Sequence, residues 1–165
     1  MAPRPPALDQ IDLKILAALQ RDGRVTNERL ARTVGLSARA CLERVRRLEA
    51  SGIIAGYQAV VELGRLSRPV NVFAEIILEK HANRGRFEKR LAALEEVVEC
   101  WEVSGNVDYL ARFVCADLAA YEELSSALID DESLGVARIV SHVALRPIRR
   151  FTGYPESLLA PVRKS

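Results

Sequence analysis

Two short amphipathic segments joined by a tight turn, within residues 26–50, constrain the fold of this chain most. Thr26 favours the start of the first segment, because its hydroxyl can satisfy a free backbone N–H group there. Gly35–Ser37 then predicts a turn, and Ser37 is a good cap for the segment that follows. Two helices joined by a glycine-containing turn are typical of a helix-turn-helix.

The second helix of this motif carries four arginines, although the net charge of the chain is only +2. Its apolar residues recur at three- and four-residue steps and form the inward face: Ala38, Cys41, Leu42, Val45 and Leu48. The arginines therefore point away from the core. Residues 1–60 hold ten Lys and Arg against six Asp and Glu, whereas residues 61–165 hold fourteen against sixteen. This imbalance indicates that the first third of the chain contacts a polyanion.

A further helix precedes the motif and completes a small domain. Asp9 predicts its N-cap, and Asp12 favours the positive end of the helix. After the arginine-rich helix, residues 53–61 alternate loosely, like a short β-wing. We therefore predict a winged helix-turn-helix domain over residues 8–60, after a loose proline-rich arm at 1–7.

This domain predicts contacts with double-stranded DNA. The N-terminal part of the second helix of such a motif meets base edges. Those positions are Ser37, Arg39, Ala40 and Glu43. Phosphate contacts are expected further along the helix. Those positions are Arg44, Arg46 and Arg47. A solvated surface face is the alternative for a charge run, but the capped turn before it favours DNA binding.

The second half of the chain has a different periodicity. Strands are predicted at 70–79, 97–104, 109–115 and 136–145, and helices at 85–97 and 117–129. The order βαββαβ most simply folds as a four-stranded antiparallel sheet with both helices on one face, a ferredoxin-like α+β domain. We assign it to residues 70–150, with a linker at 61–69 and a C-terminal tail at 151–165.

The predicted strands are apolar on both faces. In the middle pair, one face carries Val98, Cys100, Phe113 and Cys115, and the other carries Trp101, Val103, Leu110 and Val114. An antiparallel sheet with an open face should alternate apolar and polar residues. Because two helices cover only one face, we predict a homodimer in which the sheet packs on its twin. The two-fold symmetry of such a homodimer also matches the symmetry of a DNA site made of two half-sites.

Several other classes of function lack support. The three cysteines form no CxxC pair and are predicted to be buried, and neither histidine has metal-ligand spacing. Asp108, His142 and Cys115 are chemically suited to catalysis, but no triad, metal cluster or phosphate loop accompanies them. We therefore expect no enzyme activity, metal or cofactor. Without a signal peptide or a long apolar run, a cytoplasmic protein with no membrane partner is expected.

Three segments carry a resemblance to a known family: LDQIDLKILAALQRDGR, CLERVRRLEASGIIAGY and SGNVDYL. Together they resemble the leucine-responsive/asparagine-responsive (Lrp/AsnC, feast/famine) bacterial transcription regulators, in register from Leu8 to about Leu145. The resemblance implies a winged-helix domain, a strand-containing linker and a βαββαβ (RAM-type) domain that senses an amino acid. It also implies a dimer that often associates further, commonly into an octamer.

The resemblance also implies an effector site. Its residues would be Ser104, Gly105, Asn106, Val107, Asp108 and Tyr109 in the loop, with Ile139 and Ser141 on the last strand. Asp108 would accept from the ammonium of an amino acid, and backbone N–H groups around Gly105 would donate to its carboxylate. From the residues alone, the same segment predicts only a hairpin connection.

Some positions depart from the family pattern. Ala38 and Ala40 stand where prolines are common, which leaves the operator sequence unpredictable. Asn106 stands where the family often has a carboxylate, and the segment after Leu145 does not match the common ending. Asn106 keeps an alternative open, an architectural DNA-binding protein whose second domain only oligomerises.

Overall fold

A computed structural model describes residues 8–80 and 82–159 of the chain. The predicted arm at 1–7 and the last part of the predicted tail, 160–165, lie outside the described residues, as does His81. The chain divides into two compact units, which are described in turn. Within the described ranges, no helix is both long enough and apolar enough to cross a membrane.

The first unit contains the residues up to Val60 and those from Arg149 onward. Its main helices are α1 (Gln10–Arg21), α2 (Asn27–Val34) and α3 (Ala38–Ala50). Each begins at its predicted cap, because the side chains of Asp9, Thr26 and Ser37 accept hydrogen bonds from backbone N–H groups of the first turn. The predicted helix-turn-helix is confirmed.

The three helices enclose a small apolar core. Its buried members come from every helix and are Ile15, Leu16, Leu30, Ala31, Val34, Cys41 and Leu48. Between α2 and α3, Gly35 has a φ of +75°, a left-handed conformation that glycine adopts with little strain. This turn lets the chain change direction so that both helices pack on the same core.

The segment predicted as a β-wing, 53–61, forms no strand. The N–H groups of Ile53 and Ile54 instead donate to the carbonyl oxygen of Leu48, at 3.1 and 3.2 Å, and satisfy the end of α3. Both isoleucine side chains also pack against the helical core. The strand prediction is wrong, because Ile53 and Ile54 complete the helical domain and residues 55–61 form no regular element.

The segment after the second unit returns to α1. It ends in a short helix, α6 (Glu156–Leu159), whose last residue packs against the helical core. The N–H of Tyr154 donates to Gln20 Oε1 at 2.7 Å, and its carbonyl oxygen accepts from Gln20 Nε2 at 3.4 Å. An exposed ion pair joins Glu156 to Arg21 at 3.3 Å. The described part of the tail therefore belongs to the helical unit.

The second unit, Val61–Ile148, contains the predicted βαββαβ elements. In chain order these are β1 (Val70–Leu78), α4 (Arg84–Ala92), β2 (Val97–Glu102), β3 (Tyr109–Cys115), α5 (Leu118–Asp130) and β4 (Val136–Val143). Neighbouring strands are all antiparallel in the order β2-β3-β1-β4, so β2 and β4 are the edges. The predicted α+β fold is confirmed.

Both helices of this unit cover the same face of the sheet. The core combines alternate residues of the central strands with helix residues, and includes Val72, Ala74, Ile76, Ala111, Phe113, Phe87, Leu91, Tyr121 and Leu128. The opposite face is open in a single chain, where Phe73, Leu110 and Trp101 are 49%, 43% and 65% exposed. The open face therefore combines an apolar patch with the charged side chains of Glu75, Glu99 and Arg112, so the prediction of two apolar faces holds only in part.

Two local predictions for this unit are wrong. The helix predicted over 85–97 ends at Ala92, because the N–H groups of Ala93 and Leu94 bond three residues back and tighten the last turn. Cys100, predicted to be buried, is exposed because it lies on the edge strand β2. The other two cysteines are buried, as predicted.

Candidate nucleic-acid interface and effector loop

The N-terminus of α3 is fixed by side-chain hydrogen bonds. Ser37 Oγ accepts from a backbone N–H of the first turn at 3.3 Å. Asn27, the first residue of α2, donates from Nδ2 to the carbonyl oxygen of Ala38 at 2.7 Å. Cys41 and Leu48, both fully buried, anchor the inner face of the helix. The orientation of α3 is therefore set by α2 and the core together.

The outer surface of α3 carries the predicted base-contact residues Ser37, Arg39, Ala40 and Glu43. Arg39 Nε donates to Glu43 Oε1 at 3.2 Å, and these side chains are 91% and 66% exposed. Surface pairs of this kind contribute less than about 1 kcal/mol, so a phosphate or base can compete for either partner. Arg46 is also exposed and has no ion pair within the described ranges. DNA contacts at these positions stay a prediction.

Arg44 and Arg47 point towards the start of α1 instead of away from the protein. Arg44 Nη1 donates to Asp9 Oδ2 at 2.6 Å and to Asp12 Oδ1 at 2.9 Å. Arg47 Nη2 donates to Asp12 Oδ2 at 2.6 Å. Asp12 is fully buried, and the Arg44 side chain is 27% exposed. The phosphate contacts predicted for these two arginines stay untested, and both guanidinium groups already have partners within the chain.

The charges in this cluster stabilise one another. The pKa of Asp9 is lowered, first by the backbone N–H of Asp12 and then by Arg44. The pKa of Arg44 is raised, first by its hydrogen bond to Asp9 and then by that to Asp12. Asp12 also accepts from the N–H of Asp9 at 3.1 Å, which closes a capping box at the start of α1. One carboxylate thus joins the cap of α1 to two arginines of α3.

In the second unit, Asp108 braces the loop between β2 and β3. Its Oδ2 accepts from the N–H of Leu78 at 2.8 Å, and its Oδ1 accepts from Arg84 Nη2 at 2.5 Å. Arg84 also pairs with Glu102 at 3.3 Å. The pKa of Asp108 is lowered, first by the Leu78 N–H and, against a raising effect of burial, also by Arg84. Both oxygens of the predicted ammonium acceptor are therefore already occupied by donors of this chain.

The tip of this loop is exposed and accessible. Ser104, Gly105 and Asn106 are exposed, and Val107 is half-buried. Gly105 has a φ of +121°, which disfavours any residue with a Cβ. An added Cβ there would meet no other atom within 4 Å. The backbone around Gly105 therefore leaves space for a ligand to approach its N–H groups.

The remaining predicted effector residues lie on the helix-covered face of the sheet. Tyr109 is 2% exposed, and its hydroxyl donates to Glu88 Oε1 at 2.7 Å. Ile139 and Tyr109 both pair with Ile76, one on each side, so they are about 10 Å apart at the usual strand spacing. The Ser141 hydroxyl shares a hydrogen bond with that of Tyr121. A single chain therefore does not bring Ile139 and Ser141 to the loop.

A cavity of about 390 Å³ lies between α4 and the edge strand β2. Its lining includes Glu88, Glu102, Cys100 and Tyr109, so one predicted effector residue contributes to it. The sequence reading missed the partners of Asp108, Asp12 and Tyr109 alike. No local pattern identifies them, because they lie between 21 and 35 residues away along the chain.

Two family models match the sequence. The model described as winged helix-turn-helix DNA-binding covers residues 8–55, and that described as the Lrp/AsnC ligand binding domain covers residues 71–154. The leucine-responsive regulatory protein of Haemophilus influenzae is 46% identical over 124 residues, 72% of each chain. The Bkd operon transcriptional regulator of Pseudomonas aeruginosa is 43% identical over 143 residues, 86% of this chain and 93% of that protein.

Solved structures agree with these matches. A transcriptional regulator from Neisseria meningitidis, in complex with L-Met, has a TM-score of 0.85 and 29% identity, and covers 93% of this chain and 99% of its own. An AsnC family regulator from Agrobacterium tumefaciens has a TM-score of 0.83 and 32% identity, with 92% and 99% covered. These proteins are transcriptional regulators and not enzymes. The chain belongs to the Lrp/AsnC family of transcriptional regulators, with a winged helix-turn-helix DNA-binding domain and a ligand-binding domain.

Proposed function

We propose that this protein is a sequence-specific transcriptional regulator whose DNA binding and assembly respond to an amino acid. The observation that carries the proposal is the combination of an exposed outer face on α3 with a second unit that matches the family's ligand-binding domain. Its partner is a bacterial chromosome, so the protein acts in the cytoplasm.

In this proposal, α3 enters the major groove of duplex DNA. Ser37, Arg39, Ala40 and Glu43 face base edges, because they occupy the N-terminal half of the helix. Arg46 lies one turn beyond Glu43 on the same exposed side and neutralises a phosphate. The Arg39–Glu43 pair is highly exposed, so DNA can replace it at little cost.

The test of DNA recognition is selection of duplexes from a random pool with the full-length protein. Pseudo-palindromic sites with half-site centres about 10 bp apart, or a multiple of it, are expected. Arg39→Ala should then relax the sequence preference, whereas Arg46→Ala should weaken selected and random duplexes alike. Equal losses on both kinds of duplex for Arg39→Ala would remove this residue from base recognition.

The effector in this proposal is a free α-amino acid, held at the β2–β3 loop. Support comes from the match to the ligand-binding domain and from the open backbone at Gly105, where N–H groups can donate to a carboxylate. The regulator from Neisseria meningitidis that resembles this chain was solved with L-Met. Because Asp108 is already paired, it supports the loop and meets an ammonium only on its remaining exposed side.

A thermal-shift screen of the twenty amino acids tests this part. A ligand present at 100 times its Kd should stabilise the folded protein by about 2.7 kcal/mol. Gly105→Val should abolish the response, because the side chain would both strain a φ of +121° and block the approach to the backbone. Gly52→Val strains a similar positive φ of +72° in the other unit, so it serves as the matched control and should keep the response.

Assembly in this proposal begins with a dimer through the open face of the sheet. The apolar centre of this face is formed by Trp101, Leu110 and Phe73. The Arg112–Glu99 ion pair and the contact between His142 and Glu75 lie beside them. A second copy of the same face buries these apolar side chains symmetrically. Higher assembly, such as an octamer, adds dimers to this unit, and light scattering with and without the effector measures it.

One observation favours the alternative of an architectural DNA-binding protein with no effector. The carboxylate expected to grip an ammonium is occupied by Arg84 and Leu78. Retained DNA binding and dimerisation, without a thermal shift from any amino acid, would support this alternative.

A further inference from the structure

The four arginines of α3 fall into two structurally different pairs. Arg39 and Arg46 lie on the exposed side of the helix, separated by two turns. Arg44 and Arg47, on the adjacent side, donate to carboxylates at the start of α1. The Asp12 carboxylate accepts hydrogen bonds from both arginines, from Arg44 on Oδ1 at 2.9 Å and from Arg47 on Oδ2 at 2.6 Å. Among the described residues, it is the one charged side chain that is fully buried.

The cluster formed by Asp9, Asp12, Arg44 and Arg47 has no net formal charge, since two carboxylates face two guanidinium groups. A phosphate near Arg44 or Arg47 would therefore also approach one or both carboxylates. The attraction and the repulsion largely cancel at such short range. Each guanidinium keeps N–H groups that the carboxylates do not use, but a phosphate bound there would also meet the negative charge of Asp9 and Asp12. Arg44 and Arg47 therefore reach full strength as phosphate ligands only if they leave Asp12.

We infer that Asp12 is a positioning residue for DNA recognition, which keeps Arg44 and Arg47 from binding phosphates. This inference rests on the proposed function of α3. Phosphate contacts strengthen binding to every sequence, because they carry no direct base information. By holding two of the four arginines within the protein, Asp12 limits sequence-independent affinity and leaves recognition to Arg39 and its neighbours.

Asp12 has a structural role in the capping box of α1, but that role does not require the two arginines. Apolar side chains between α1 and α3 would often hold the helices as well as a buried ion pair. Beyond the cap, the carboxylate differs from an apolar residue because it fixes where two positive charges lie beside the DNA-facing side of α3. The inference therefore predicts a change in how binding depends on salt, beyond any change in stability.

The experiment measures the affinity of the full-length protein for a random-sequence duplex at several salt concentrations. Each phosphate neutralised contributes about 0.9 to the slope of log K against log salt. Arg46→Gln and Arg47→Gln are a matched pair, adjacent in sequence and identical in chemistry. Arg46→Gln should make the slope shallower by about 0.9, whereas Arg47→Gln should leave the slope unchanged. An equal loss of slope for both variants would overturn the inference.

Asp12→Asn provides the complementary test, because it keeps the shape of the side chain and removes its charge. The slope should become steeper by about 0.9, because Arg47 becomes available for a phosphate whereas Arg44 keeps its bond to Asp9 at 2.6 Å. Binding to the random duplex should tighten relative to the selected site. Adding Arg47→Gln to Asp12→Asn should return the slope to its wild-type value. A folded Asp12→Asn protein with a wild-type slope would overturn the inference.

Two controls separate the possible failures. Circular dichroism shows whether Asp12→Asn folds, and if it does not, the Arg46 and Arg47 pair still decides the question. Wild-type protein without salt-dependent affinity for any duplex would mean that the proposed function itself fails. Wild-type binding accompanied by a shallower slope in Arg47→Gln would overturn only the role of Asp12.

Discussion

Replacing Asp108 by Asn tests whether this side chain stabilises the loop between β2 and β3, the proposed effector site, from within the chain. The carboxylate accepts from the N–H of Leu78 at 2.8 Å and from Arg84 at 2.5 Å. An amide has one acceptor oxygen, and its nitrogen carries donors only. In the variant, either the Leu78 N–H or the Arg84 guanidinium would therefore face another donor.

The expected loss follows from the surroundings of the two bonds. A hydrogen bond to a charged group contributes about 1.5–3 kcal/mol, and the bond to Leu78 is shielded because the Asp108 side chain is only 23% exposed. The Arg84 side chain is 50% exposed, so solvent screens its share. We expect a total loss of about 2 kcal/mol in the free energy of unfolding of the second unit. At about 4–8 °C per kcal/mol, its Tm should fall by about 8–16 °C.

Trp101 provides the assay, because it is the one tryptophan of the chain and lies in the second unit. Its fluorescence during denaturant unfolding reports that unit selectively. A double-mutant cycle with Arg84→Gln should give a coupling of about 0.5–1 kcal/mol, and Asn106→Ala in the same loop should change stability by less than about 0.5 kcal/mol. An unfolding midpoint for Asp108→Asn equal to that of wild type would refute the stabilising role of Asp108 in this loop.

Four further outcomes are expected. The contribution of Asp108 to stability should be complete above its ordinary pKa of 3.8 and lost as the pH falls below it, because folding lowers this pKa. Acid titration of Trp101 fluorescence measures this loss of stability, and Asp108→Asn is the control. Trp101→Glu should convert the proposed dimer to folded monomers in light scattering, because the interface would then bury two negative charges. An unchanged dimer would place the interface elsewhere. Removal of residues 149–165 should lower the free energy of unfolding of the helical unit by about 1–2 kcal/mol, as measured by denaturant unfolding followed by circular dichroism. An unchanged unfolding midpoint would show that the tail contributes nothing to stability. Gly135→Ala should lower the free energy of unfolding by about 1–3 kcal/mol in the same Trp101 assay, because the φ of Gly135 is +64° and an added Cβ would lie 2.6 Å from that of Ala82. A loss below about 0.5 kcal/mol, the usual range for a surface change, would contradict this expectation.

The helices and strands were predictable from the sequence because their signals are local. The caps Asp9, Thr26 and Ser37 each lie within three residues of the N–H group that they satisfy. The strands were predictable for the same reason, since their apolar residues are consecutive. The ends of the elements were predicted less accurately than their positions. The helix predicted over 85–97 ends at Ala92, and β2 already begins at Val97. The β-wing was predicted from the loose alternation of residues 53–61, whereas in the structure the N–H of Ile53 satisfies the end of α3.

The roles of individual polar residues were less predictable, because their partners are distant in sequence. Asp12 was correctly placed near the positive end of α1, but nothing in its neighbourhood indicates that Arg44 and Arg47 would reach it. Counting charges along α3 therefore gave no indication that two of its four arginines are paired within the chain. In the same way, Asp108 was interpreted as a free ligand group, whereas Arg84 on another element pairs with it.

Both ends of the described chain build the DNA-binding unit, which has a consequence for regulation. The second unit is inserted between the linker after Val60 and the segment that leads to Arg149, so it is connected to the helical unit twice. The contacts at the second connection, between Gln20 and Tyr154 and in the exposed Arg21 ion pair, are individually weak. Coupling energies between sites are typically about 1–3 kcal/mol, a range that is comparable to the sum of these contacts. A coupling of that size is sufficient to release the tail from α1, and it is smaller than the roughly 5–15 kcal/mol that typically stabilises a folded domain.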